Sequence, residues 1–233
     1  MNKRIVITGA TKGIGRAIAE KFASEGWDLA LCARTKKDLD ALTLSLVPRP
    51  SSFITFVCDV SKKEELRAFA DKVNTEFGAV DIIVNNAGVF IPGQVINEDD
   101  GVLEKLIETN LYSAYYLSRM LLPKMIEKKS GHIFNLCSVA SIQAYPNGGS
   151  YSISKFALLG LSKALREELK EHRIKVTALV AGATYTDSWK GSNLPEERLM
   201  KPEDIAQTVW DIYNLSENTV VEEVLLRPVL GDI

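Results

Sequence analysis

Seven short apolar runs, near residues 4–8, 28–33, 53–57, 80–85, 131–137, 174–180 and 222–227, are spaced along this chain with longer amphipathic stretches between them. Runs such as DIIVNNA and KVTALV are apolar almost throughout, the pattern of strands covered on both faces. Alternation of buried strands with helices predicts an α/β fold built on a doubly wound parallel sheet of about seven strands, with right-handed crossovers and helices on both faces. Two helix starts carry local signals. Ser61-Lys62-Lys63-Glu64 has the spacing of a capping box, and Lys201-Pro202-Glu203-Asp204 places proline and acids in a first turn. Pro48-Arg49-Pro50-Ser51-Ser52 reads as a turn. With no repeat or linker evident, residues 1–233 are expected to form one domain.

The N-terminal segment KRIVITGATKGIGRAIAEKF joins a strand, Arg4 to Thr8, to a turn holding Gly9, Gly13 and Gly15, and then to a helix with Ile14, Ala17, Ile18 and Phe22 in register. Glycines let such a turn tighten, and they let backbone N–H groups approach a pyrophosphate at the positive end of the helix. An ordinary βα turn is the plainer alternative. Further along, Tyr151 and Lys155 stand at i and i+4, on one face of a helix. A free tyrosine titrates near pH ~10, and a neighbouring cation favours its phenolate. Ser138, thirteen positions earlier at a strand end, is placed to hold a substrate oxygen beside the phenol.

Composition limits the function classes. Hydrophobic residues make up 46% and charged residues 25%, and the net charge is −2, so no basic footprint points to nucleic acid or a membrane surface. No apolar run approaches the ~18 residues of a transmembrane helix. The opening MNKRIVITG enters the first strand directly, so no export signal is expected and the cytoplasm is the expected compartment. Cys32, Cys58 and Cys137 read as small core residues, an odd count that argues against a disulfide framework. His132 and His172 lack ligand spacing, so no catalytic metal is expected.

Taken in order, these motifs resemble the short-chain dehydrogenase/reductase family over essentially the whole chain. The residues are Thr8-Gly9-Ala10-Thr11-Lys12-Gly13-Ile14-Gly15, Asp59 in VCDV, Asn85-Asn86-Ala87-Gly88, Asn110 in ETNLYSAYYLS, and the set Ser138, Tyr151 and Lys155. The resemblance implies a Rossmann-like sheet and hydride transfer between a nicotinamide cofactor and a carbonyl or alcohol. Tyr151 would be the general acid/base and Ser138 would stabilise the substrate oxygen. Lys155 would lower the tyrosine pKa and bind the nicotinamide ribose, and Asn110 would hold a water for proton resupply. Alternatively, Asn110 only caps or kinks its helix.

Cofactor contacts are implied for Gly9, Thr11, Lys12, Gly13, Ile14, Gly15, Arg34, Thr35, Asp59, Val60, Asn86, Ala87, Gly88, Tyr151, Lys155, Gly182, Thr184 and Thr186. Asp59 is expected at the adenine and Asn86 along the groove. The second strand ends Cys32-Ala33-Arg34-Thr35, with no carboxylate for a ribose 2′-hydroxyl. Arg34 and Lys12 suit a 2′-phosphate, so NADP(H) is expected ahead of NAD(H), unless both are merely solvated. Ala181-Gly182-Ala183-Thr184-Tyr185-Thr186 lacks the proline of the family's usual Pro-Gly pair, which predicts a looser loop.

Phe90, Gln143, Tyr145 and Asn147 on one side, and Trp189 within a segment from Tyr185 to Met200, are candidate substrate contacts. The tail TVVEEVLLRPVLGDI and the stretch ATYTDSW are similar to bacterial sepiapterin-reductase-like members, which implies a pterin side-chain ketone. A general ketone or a 3-oxoacyl thioester is the alternative substrate. A non-catalytic NADPH-binding sensor or scaffold is the alternative class. The resemblance also implies a homodimer or homotetramer packed through helices near 100–127 and 151–171. The apolar surplus of LYSAYYLSRMLL fits such an interface.

Overall fold

The computed structural model describes residues 2–46, 52–189 and 194–232, so all of the turn expected at 48–52 except Ser52 lies outside the described residues. In chain order the elements are β1 (Arg4–Thr8), α1 (Gly13–Ser24), β2 (Asp28–Ala33), α2 (Lys36–Leu46), β3 (Phe53–Val57), α3 (Lys63–Glu76) and β4 (Ile82–Asn85). Then follow α4 (Val102–Ile107), a π turn (Glu108–Tyr112), α5 (Ser113–Lys128), β5 (Gly131–Ser138), α6 (Gly149–Leu169), β6 (Ile174–Ala181), α7 (Pro202–Tyr213) and β7 (Glu223–Leu226). Single 3-10 turns lie between some of these. All seven strands are parallel, in the order β3-β2-β1-β4-β5-β6-β7. The sheet therefore reverses its winding between β1 and β4, and ligands bind at the carboxyl ends of such a switch point.

Two cores explain why the strands read as continuous apolar runs. Ile5, Ile7, Leu29, Leu31, Ile82 and Val84 pack beneath α1, α2 and α7. The alternate residues Val6, Ala30, Cys32 and Ile83 pack beneath α3, α5 and α6. A strand's period of two thus feeds both faces. Pro202 opens α7 with Glu203 and Asp204 in its first turn, as expected. The start of α3 differs from expectation. Ser61 does not cap it; Asp59 Oδ1 accepts the Ser61 N–H at 3.0 Å and its hydroxyl at 2.8 Å, while Glu65 Oε2 accepts the Asp59 N–H at 2.8 Å. The aspartate two residues upstream competes successfully for the serine because its side chain folds back on the backbone that follows it. All three cysteines are free and buried. No helix among the described residues is long and apolar enough to cross a membrane.

His132, 1% exposed at the amino end of β5, stacks on Phe134 at 4.0 Å. Its Nε2 lies 2.7 Å from Thr177 Oγ1, and that hydroxyl gives its own proton to the Val221 carbonyl at 2.6 Å. The imidazole must therefore donate from Nε2, which leaves Nδ1 as a buried acceptor without a partner. Burial first, and then the charge of Lys175, lower its pKa to about 3. An unfolded chain takes up this proton near pH ~6.5, so between these values the unfolded state binds more protons. The contribution is intact above that range and is lost as pH falls toward 3. Unfolding free energy from denaturant titration is expected to drop by on the order of 3 kcal/mol through this group between pH 7 and pH 4. His132→Gln is expected to flatten that slope, and an unchanged slope would assign the acid sensitivity elsewhere.

Candidate active site

β1 ends in a turn that only glycine makes comfortably, with Gly9 at φ +64°. A β-carbon on Gly15 would fall on the Gly9 carbonyl oxygen and on Asn86 Nδ2, so the turn and the first residues of α1 sit directly against the segment after β4. Thr8 Oγ1 accepts the N–H groups of Asn86 and Ala87 at 3.1 and 3.0 Å. Asn86 Nδ2 donates to the carbonyls of Thr8 and Gly9 at 2.8 and 3.1 Å. Asn86 thus braces the glycine turn, and its donors are spent on that role rather than on the groove. Lys12 precedes α1 without capping it, which leaves the N–H groups of the first turn open to an anion.

Beside this turn is a cleft of about 390 Å³ lined by Thr11, Lys12, Gly13, Arg16, Asp38, Ala41, Leu42 and Asp187. Lys12 is 3.4 Å from Asp187 and 3.9 Å from Asp38, so the expected cation is shared with two carboxylates. Arg34 and Thr35 are exposed just after β2, and Val60 is buried beside the half-exposed Asp59.

The segment after β6 is tied down despite its missing proline. Gly182 N–H donates to the Leu226 carbonyl, Tyr185 N–H to that of Met200, and Met200 N–H to that of Ala183, at 2.8, 2.8 and 3.0 Å. The looseness expected there is compensated by these bonds. Thr184 is buried and donates to the Gly182 carbonyl at 3.0 Å, so it faces inward. Thr186 lies against the glycine turn, where a β-carbon on Gly13 would come within 2.8 Å of its Cγ2.

Ser138 closes β5, and its hydroxyl accepts the Ala140 N–H at 3.1 Å while Ser141 Oγ accepts the Ser138 N–H at 3.1 Å. This reciprocal cap fixes the serine and leaves its proton available to a substrate or to the phenol. Tyr151 stands in the first turn of α6, with Phe90 edge-on to its ring at 4.9 Å. Burial pushes the phenol above its ordinary value, and the Ser138 hydroxyl offsets part of that rise.

Lys155 is buried, donates to the Leu136 carbonyl at 2.7 Å, and has Nζ 5.8 Å from the Tyr151 ring centre. Burial lowers its own pKa. Burial is thus the largest influence on the Tyr151 phenol, and it acts in the direction opposite to the depression expected from a neighbouring lysine.

Asn110 sits in the π turn. Its Oδ1 accepts the Val89 N–H at 2.8 Å, and its Nδ2 donates to the Val89 carbonyl at 3.0 Å and to Ser154 Oγ at 2.9 Å. Both amide protons are taken, so the side chain retains at most one oxygen lone pair for a water. Gly88 lies between Asn110 and Lys155.

Phe90, Gln143 and Tyr145 are all exposed; Phe90 packs on Tyr151, and partial burial of the Tyr145 hydroxyl together with the neighbouring Tyr151 pushes the Tyr145 pKa up to about 12. Asn147, at φ +60°, instead turns its Oδ1 toward Gln94, 3.1 Å away. Trp189 ends a single turn, Asp187–Trp189, and residues 190–193 of the adjoining segment lie outside the described residues.

A model of the family described as short chain dehydrogenase matches residues 3–197. The chain belongs to that family. This short chain dehydrogenase is 34% identical over 241 residues to a sepiapterin reductase of Chlorobaculum tepidum, covering 100% of this chain and 99% of that one. Its fold matches an alcohol dehydrogenase from Thermococcus sibiricus complexed with 5-hydroxy-NADP, with TM-score 0.91, 31% identity, and 99% and 98% of the two chains covered. It also matches L-sorbose reductase from Gluconobacter frateurii complexed with NADPH and L-sorbose, with TM-score 0.90, 27% identity, and 97% and 95% covered.

Sequence reasoning missed Ser141, Ser154, Asp38, Asp187 and Glu98, each of which contacts a named site residue or its helix. Only Ser141 left a local signal, the S-x-x-S spacing from Ser138. The close approach at Gly15 yields a test on this dehydrogenase. Gly15→Ala is expected to lower stability by about 1–3 kcal/mol, because backbone must shift. Gly160→Ala, within α6 and open to solvent, is expected to raise it by about 0.5–1 kcal/mol. Denaturant unfolding of both variants checks the pair.

Proposed function

We propose that this dehydrogenase is an NADP(H)-dependent carbonyl reductase in which Tyr151 is the proton donor, with a planar ketone of the sepiapterin type as substrate. The observation that carries this reading is the grouping of Ser138, Tyr151 and Lys155 at the carboxyl end of β5, beside the glycine turn at the β1/β4 switch point. The uncapped start of α1 and the glycine-lined approach of Gly9, Gly13 and Gly15 fit a dinucleotide pyrophosphate. Lys12 and Arg34 would take a 2′-phosphate, Thr186, which lies against Gly13, would meet the dinucleotide from the segment after β6, and Lys155 would bind the nicotinamide ribose. Bound there, the nicotinamide supplies a hydride to the substrate carbonyl carbon.

The residues supply the rest. Ser138, fixed by Ser141 and Ala140, donates to the substrate oxygen, and Tyr151 delivers its phenolic proton to that oxygen as negative charge develops. Lys155, held by the Leu136 carbonyl, stabilises the resulting phenolate. Asn110 orders Val89 and Ser154 behind it. Phe90 and Tyr145 form the walls of an aromatic slot, which favours a planar substrate and agrees with the relative named a sepiapterin reductase.

Tyr112 and Tyr115 near the start of α5, and Ile153 and Phe156 on α6, remain exposed. Their exposure supports a homodimer or homotetramer packed through these helices. A cytoplasmic location accords with use of the NADP(H) pool.

A second reading, preference for NAD(H), is favoured by one observation: Asp38 stands beside Lys12, where a carboxylate repels a 2′-phosphate. Arg34→Ala is expected to lower kcat/KM with NADPH about 10-fold or more while leaving NADH turnover nearly unchanged. A higher kcat/KM with NADH than with NADPH in the unaltered enzyme, with NADPH turnover unmoved by Arg34→Ala, would support the second reading.

NADPH oxidation followed with sepiapterin, simple ketones, diketones and a 3-oxoacyl thioester tests the substrate. Tyr151→Phe is expected to lower kcat about 100-fold or more. Preference for another carbonyl would reject the pterin assignment alone, and no Tyr151-dependent turnover on any of them would favour a binding protein. Because burial raises the phenol's pKa, its proton is present through neutral pH. Reduction is therefore expected to be flat there and to fall on the alkaline side, while alcohol oxidation, which needs the phenolate, rises with pH.

A further inference from the structure

The helix that carries Tyr151 and Lys155 begins without a side-chain cap from Gly148, the residue before it. Its second residue is instead held from a distant part of the chain. Ser150 N–H donates to Glu98 Oε1 at 2.9 Å, and the Ser150 hydroxyl donates to Glu98 Oε2, a contact spanning 52 residues of sequence. Ser150 is 3% exposed. A carboxylate at this end of a helix satisfies donors that have no partner within the helix and also complements the dipole.

Its seat is closely fitted. A β-carbon on Gly149 would fall on Glu98 Oε1, and one on Gly93 would come within 2.7 Å of Glu98 Cγ. The strap bearing Glu98 is fastened again just before the helix, where Gly93 N–H donates to the Asn147 carbonyl at 3.0 Å and Gln94 Nε2 to Asn147 Oδ1 at 3.1 Å. That strap leads from Phe90, whose ring meets Tyr151 edge-on.

We propose that Glu98 is a positioning residue for the proton donor. Its carboxylate fixes the first turn of α6, and so aims the Tyr151 phenol at the oxygen that Ser138 holds, on a strap continuous with the Phe90 wall. This inference rests on the reading of Tyr151 as proton donor. The bonds end on Ser150, the residue directly before Tyr151, whereas the glycine turn is braced by Thr8 and Asn86, which Glu98 does not touch. Loss of Glu98 therefore acts first on the aim of Tyr151 and leaves the glycine turn, the main seat for the cofactor, in place.

The test compares steady-state kinetics and NADPH binding, read by fluorescence, for the full chain and for Glu98→Ala, Glu98→Gln, Ser150→Ala, the Glu98→Ala/Ser150→Ala double variant and Tyr151→Phe. Glu98→Ala is expected to lower kcat about 10- to 100-fold with NADPH affinity held within about twofold, the signature of a misaimed reacting group. Glutamine still accepts the Ser150 N–H and can donate to its hydroxyl, so Glu98→Gln restores most of kcat. The double variant is no worse than Glu98→Ala alone, because both changes remove one interaction.

Where the alanine variant does not fold, Glu98→Asp replaces it: the charge stays but the reach shortens, and kcat still falls. An unchanged kcat in Glu98→Ala or Glu98→Asp, in an enzyme that Tyr151→Phe inactivates, overturns the positioning role and leaves the proton-donor reading intact. Equal loss of kcat and NADPH affinity likewise overturns it. A fully active Tyr151→Phe overturns the proton-donor reading, and the inference with it.

Discussion

Backbone segments 78 residues apart meet where the sheet reverses its winding, and the hydrogen bonds between Thr8 and Asn86 hold them together. Strand ends leave N–H and C=O groups that need partners once buried. Here the Thr8 hydroxyl serves two such donors and the Asn86 amide serves two such acceptors. The glycine turn and the start of α1 are thereby fixed against β4, and the chain leaves β4 through Gly88, which sits against Asn110 and Lys155. One set of short bonds thus relates the uncapped helix start to the lysine.

A second polar chain runs below this junction. Asn85 Nδ2 donates to Ser118 Oγ at 3.1 Å and to Asn135 Oδ1 at 2.8 Å, and Asn135 Nδ2 donates to Ser162 Oγ at 2.8 Å. It ties β4 and β5 to α5 and α6 through groups that are almost wholly buried. Apolar side chains of similar size would pack as well. A polar chain is satisfied in only one register, however, and that register aligns Asn85 with Asn135 and sets where Ser138 ends its strand. One oxygen, Asn85 Oδ1, lacks a partner, a local cost borne next to the site.

The strand positions, the glycine turn and the order of Ser138, Tyr151 and Lys155 were legible because each depends on short-range pattern: period two, period 3.6, or a fixed spacing. What the sequence hid depends on distance in the chain. Nothing near Lys12 announces that Asp38 and Asp187 converge on it, and Thr184 looks as available as Thr186 until β6 and Met200 bury it. Asn86 is expected along the groove, and the residues around it give no sign that its amide donors are used on the carbonyls of Thr8 and Gly9. The phenol of Tyr151 is a further case. The i+4 lysine suggests a lowered pKa, but desolvation is set by the whole fold and acts in the opposite direction. Ser61 failed as a cap for a local reason, since the aspartate two residues earlier holds its hydroxyl.

Lys155 shows how packing and chemistry share one set of contacts. A buried ammonium is costly unless its protons are bonded, and this one reaches from α6 to the Leu136 carbonyl on β5, two residues before Ser138. The bond that keeps the cation buried also ties the helix bearing Tyr151 to the strand bearing Ser138. The segment after β6 is attached differently, through Thr186 on Gly13 and Asp187 on Lys12. Lys12 belongs to the glycine turn, so an anion drawn to that turn meets the same charge that holds Asp187. Ser138, Tyr151 and Lys155 are therefore set by the core, while Asp187 is joined to the glycine turn by an exposed ion pair of the kind that contributes little to stability.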